Sequence, residues 1–146
     1  MKIMIDPQEL RDRISLNFHR LADSAYYQID EVFAPAEYDW QGDKEGRALL
    51  AFVSLYKITG VRIPCMEQML ERLPEKLNEK QYMGTVQKEI VSEQQMSGHS
   101  WFLRGLCEHY EQFGDDYSLE LLKAITENLF LPTRGMYGTY PVNRAK

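Results

Sequence analysis

Three short stretches carry the residue types that could do chemistry in this chain. In "SEQQMSGHSWFLRGLCEHYEQFG", Ser92 to Gly114, His99 stands at the expected mouth of a helix, with Ser97 as its N-cap. A neutral imidazole there can donate to or accept from hydroxyl groups, and the positive helix N-terminus favours the neutral form. It could equally be a polar residue that satisfies the preceding loop. Glu93, Gln94 and Gln95 place carboxylate and amide groups just before it, suited to hydroxyl recognition and equally ordinary on a loop. In "DWQGDKEG", Asp43 and Glu45 open another helix. Paired carboxylates beside a cavity are what glycoside chemistry uses, although acids in a first turn are also what the helix dipole favours. Trp40 and Trp101 flank the two openings, and an indole can stack on the C–H face of a sugar ring or anchor a core.

Other chemistries find no foothold. The chain has 3 histidines, His19, His99 and His109, in neither HxxxH nor HExxH spacing, so no complete metal site is expected. His19 and His109 are read as structural. No phosphate-binding loop, GxGxxG or GxSxG motif occurs. A net charge of −5 argues against nucleic acid, which needs a basic face. No apolar run approaches a membrane span, and "MKIMIDPQEL" interrupts any signal-peptide core, so a cytoplasmic protein is expected. Cys65 and Cys107, without CxxC spacing, are expected to be reduced and buried.

The elements that must position these residues are all helical. With 146 residues, 44% hydrophobic and 27% charged, the chain suits one helical domain. Asp6 and Pro7 start a helix reaching about Gln28, with Leu10, Ile14, Phe18, Leu21 and Ala25 on one face. From Ala48 to Ile58 the apolar residues cover most of the circumference, which requires cover on nearly every side, and Gly60 ends that helix. A third begins at Pro64 and breaks near Leu73, before Pro74. The fourth, about Gly98 to Phe113, is again broadly apolar and ends at Gly114; the fifth runs from Asp116 to about Leu129. The passage from Lys80 to Glu93 reads as a loop or a small strand pair.

Leu49, Tyr56 and Gly60 repeat as Leu103, Tyr110 and Gly114. This predicts stacked antiparallel hairpins that alternate an inner and an outer helix. About two and a half such units would leave inner faces bare. A further stretch of chain, continuing the Gly/Tyr/Pro-rich ending, or a second copy is therefore expected to cover them.

"DWQGDKEGRALLAFVSLYKITG", "LNEKQYMG" and "EQQMSGHSWFLRGLCEHYEQFGDDYSLELLKAITENL" resemble the N-terminal portion of the β-L-arabinofuranosidase-like family of bacterial glycoside hydrolases, whose catalytic domain is an (α/α)-toroid of six hairpins. The matching features are the Gln81–Gly84 loop, Gly98-His99 and the close from Tyr110 to Gly114. The resemblance implies a pentose-containing plant-type glycan as partner and His99 as a sugar contact, with Glu45, Asp43, Trp40 and Gln95 lining the same cavity. The family's nucleophilic cysteine, its zinc ligands and its acid/base glutamate have no match here. The expectation is therefore a substrate-lining part without catalytic residues or a cofactor of its own, zinc belonging to fuller relatives. The competing expectation is a non-catalytic helical-hairpin module that binds a protein or peptide.

Overall fold

The computed structural model describes residues 6–35, 40–86 and 92–136. Residues 137–146, most of the Gly/Tyr/Pro-rich ending, lie outside them. The described chain is all-α. Its helices are α1 (Pro7–Asp23), α2 (Ile29–Val32), α3 (Asp43–Thr59), α4 (Pro64–Arg72), α5 (Glu93–Phe113) and α6 (Asp116–Ile125). Strands are absent from the described residues, where Leu77 and Met83 make an isolated antiparallel bridge.

Most boundaries follow from local chemistry. The Asp6 carboxylate accepts the Gln8 N–H at 2.8 Å, with Pro7 at the first helical position. Gly60 and Gly114 close α3 and α5 in the left-handed conformation at φ 69° and 64°, their N–H groups returning to the carbonyls of Tyr56 and Tyr110. Pro74 turns the end of α4 into a 3-10 turn, Leu73–Lys76. Beyond α6 the backbone widens into one π turn, Thr126–Phe130, where the Leu131 N–H reaches the Thr126 carbonyl.

The start of α5 differs from expectation. Its N-cap is Ser92, whose hydroxyl accepts the Gln95 N–H at 3.2 Å, so Ser97 caps nothing and His99 lies in the second turn. Replacing Ser92 with alanine should cost about 1 kcal/mol, read as a thermal midpoint lowered by about 3 °C.

The close pairing of α3 and α5 organises the fold. Gly42 lies against Gly98 and His99, Gly46 against Trp101, Phe102 and Gly105, and Tyr56 against Phe113, so the two helices run parallel. Glycine makes this possible. A Cβ on Gly46 would sit 2.2 Å from the Phe102 nitrogen, and one on Gly98 would sit 2.4 Å from the Gln41 carbonyl oxygen. Backbones that approach this closely gain dispersion along their whole contact. Leu49, Phe52, Val53, Phe102 and Leu106 fill the seam beside them and belong to the single buried cluster that extends to Leu129.

Cover is less complete than the apolar circumference of α3 implies, because Ile58 is 62% exposed at its end. The α1 stripe is also partly bare: Leu21 is buried, but Leu10 and, off the stripe, Leu16 are exposed. Cys107 is exposed, contrary to expectation, while Cys65 is buried and donates its thiol to the Tyr27 carbonyl.

Candidate functional site

The head of α3 forms a hollow of about 220 Å3 lined by Trp40, Asp43, Lys44 and Glu45 from α3 and its lead-in, with Glu31 and Pro35 opposite. The Trp40 carbonyl accepts the Asp43 N–H at 3.0 Å, tying the lead-in to the helix start. The Trp40 residue is 39% exposed, leaving much of its surface for a ligand. Gly42 takes the left-handed conformation at φ 91° that this tight entry needs.

The charges in the hollow are unlike one another. Arg47 Nε donates to both Asp43 carboxylate oxygens at 3.0 Å, and its guanidinium lies 4.1 Å from the Trp101 ring centre. Lys44 donates to Glu31 Oε1 at 2.8 Å and to the Glu31 carbonyl at 2.6 Å. Glu45 has no ion-pair partner among the described residues and accepts the Gly42 N–H at 3.0 Å. Burial pushes its pKa above the ordinary 4.5, against the pull of the Glu45 and Gly42 N–H groups and of Lys44. One carboxylate is thus neutralised by a guanidinium, while the other keeps a proton more readily.

Glu45 gives a pH signature. Its folded form holds a proton to higher pH than its unfolded form, so its ionisation removes stability as pH rises from about 4.5 through the raised folded value. Glu45→Gln can still accept the Gly42 N–H and lacks that ionisation. Urea midpoints of wild type and variant should differ least near about pH 4, and the variant should gain on wild type by about pH 7.

His99 and Gln95 lie elsewhere. Both are fully buried on α5, and neither lines the hollow. His99 Nε2 accepts the Met83 N–H at 3.0 Å, and Nδ1 meets the Gln95 carbonyl at 2.8 Å. Because a backbone N–H can only donate, Nε2 is unprotonated and Nδ1 carries the proton. The Tyr82 ring packs edge-on against the imidazole, centres 5.9 Å apart. The Gln95 amide donates to the carbonyls of Met83 and Thr85. Asn78 completes the loop: its Oδ1 accepts from Lys80 and Tyr82, and its Nδ2 donates to the Gly84 carbonyl. Two segments singled out in the sequence, Gln81–Gly84 and Gly98-His99, therefore meet as one buried unit.

Trp40, Asp43 and Glu45 are brought together, whereas His99 and Gln95 do not line that hollow; the His99 backbone packs against Gly42 at the same helix head. Trp101 is flanked by the guanidinium groups of Arg47 and Arg104. Glu93 and Gln94 occupy the first turn of α5, half-buried. Sequence reasoning missed Glu31 and Lys44 in the hollow. It also missed Gln41, whose buried Oε1 has no hydrogen-bond partner among the described residues. Its position between Trp40 and Gly42 was the available signal. Among the described residues no group of three His, Cys, Asp or Glu could hold a metal ion, and no helix is long and apolar enough to cross a membrane. No family model, curated protein or solved structure matches this chain.

Proposed function

We propose that the hollow at the head of α3 is a carbohydrate subsite, and that this chain is a substrate-lining part of a β-L-arabinofuranosidase-like (α/α)-toroid acting on a pentose-containing plant-type glycan. One observation carries the reading: Trp40, Asp43 and Glu45 line the same hollow. An exposed indole supplies a face for sugar C–H groups, and the carboxylates supply acceptors for hydroxyls. Parallel α3 and α5, joined through α4 and followed by α6, also suit an arrangement of inner helices with outer returns. His99 and Gln95 act in this reading as positioning residues, holding the Tyr82–Thr85 loop against α5. In this reading bond breaking and any bound zinc belong to the remainder of the ring.

Isothermal titration with L-arabinose and methyl β-L-arabinofuranoside tests it, alongside tryptophan fluorescence. Binding should be lost in Trp40→Ala and weakened in Asp43→Asn. Absence of heat and of a fluorescence change with these and other pentoses would remove the sugar reading.

A second reading, a non-catalytic module for a protein or peptide, is favoured by the groove of about 280 Å3 between α1 and α3. Leu21, Tyr27, Ala51, Leu55 and Ile58 line it, with exposed Leu10 and Leu16 on the same helix α1. A peptide-binding response that Trp40→Ala leaves intact, without any pentose response, would favour this alternative.

A further inference from the structure

At the opposite end of the α3–α5 pair lies a second hollow, about 590 Å3, lined by Arg62, Glu67, Glu71, His109, Asp116 and Tyr117 among others. His109, near the end of α5, is 4% exposed. Its Nδ1 lies 2.9 Å from Ser118 Oγ, and the Ser118 hydroxyl donates to Asp115 Oδ2 at 2.7 Å. A hydroxyl has one proton to give. With that proton directed at Asp115, Ser118 Oγ must accept from His109 Nδ1–H.

The other ring nitrogen, Nε2, is therefore an unprotonated lone pair. It has no hydrogen-bond partner among the described residues, yet it is not sealed from solvent. Burial holds the imidazole below its ordinary 6.5, with Asp115 and Glu67 pulling it up and Arg62 pushing it down. Asp115 and Ser118 thus fix the ring of a residue that lines the hollow, leaving Nε2 as its acceptor.

The surroundings select what would donate to it. Glu67, Glu71, Asp115 and Asp116 line the hollow with Arg62, whose guanidinium is paired with Glu67 and lies 4.3 Å from the Phe113 ring centre. Glu71 and Asp116 have no ion pair among the described residues. An anion would meet this surplus of carboxylates, and an apolar ligand would leave Nε2 without a donor. A ligand that brings both N–H groups and positive charge answers both needs.

We propose that this hollow binds an organic ammonium group, one N–H donating to His109 Nε2 and the charge countered by Glu71 and Asp116. The site is independent of the sugar reading, because it shares no residue with the hollow at Trp40.

The full chain, labelled with 15N and held at about pH 8 so that free imidazole is neutral, is titrated with n-butylammonium. Long-range proton–nitrogen correlation then follows the His109 ring. The Nε2 resonance should move in the direction of an accepted hydrogen bond, while butyrate and n-butanol leave it in place. The double variant Glu71→Gln/Asp116→Asn removes only surface charges and should weaken the response about fivefold, the scale of one or two exposed charge pairs. An Nε2 signal that stays fixed, that moves equally with n-butanol, or that responds undiminished in the double variant would overturn the proposal.

Discussion

Alanine at Gly46 is expected to lower the thermal midpoint by about 10 °C, corresponding to about 3 kcal/mol of lost stability. The added methyl would stand 2.2 Å from the Phe102 nitrogen, 2.3 Å from the Trp101 carbonyl carbon and 2.5 Å from the Phe102 Cα. All three are backbone atoms of a regular helix and cannot swing aside. Relief requires α3 and α5 to separate, which opens gaps beside Leu49, Phe52 and Leu106. Alanine is intrinsically the better helix former by about 1 kcal/mol, so the packing cost must exceed the net loss by about that much. Gly60→Ala is the control. A Cβ there meets nothing within 4 Å, and its φ of 69° predicts a loss of about 1 kcal/mol from backbone conformation only. Equal losses at the two positions would show that close helix approach is not what Gly46 provides.

His99→Ala should cost about 3 to 4 kcal/mol, by deleting a buried side chain and leaving the Met83 N–H without its acceptor. The effect should be local as well as global. Amide exchange at Met83 should accelerate strongly, because the side chain that accepts its proton is gone. Exchange near Leu119 and Leu122, on α6, should change only with overall stability. A sugar-contact role alone would predict the reverse pattern, with stability intact. The buried geometry instead makes His99 a clamp on the loop that follows Leu77.

The sequence makes helix ends legible where a local signal sets them. Asp6 with Pro7, Gly60, Gly114 and Pro74 each act through their own backbone or side chain, and each boundary falls where its chemistry requires. The start of α5 was misread for a related reason. Ser97-Gly98 resembles a helix opening, because glycine is unfavourable inside a helix. Gly98 is nevertheless internal, since only a residue without Cβ fits against the Gln41 carbonyl. Trp40, Asp43 and Glu45 could be grouped in advance because they belong to one helix head. The partners of His99 could not, because Met83 approaches it only after the chain has folded back. An apolar circumference likewise does not say which sides find cover, and Ile58 and Cys107 lie on sides that find none.

The parallel course of α3 and α5 has a consequence for how the polypeptide reaches its native state. Parallel neighbours cannot be joined by a tight turn, so α3 must wait while α4 and the loop beyond it are made. During synthesis, the glycines at its leading end remain unmatched until the segment through Gly105 has left the ribosome. Nucleation by this pair is thus a late, long-range event governed by loop closure, and the nascent chain exposes Leu49 and Phe52 to chaperones in the interval.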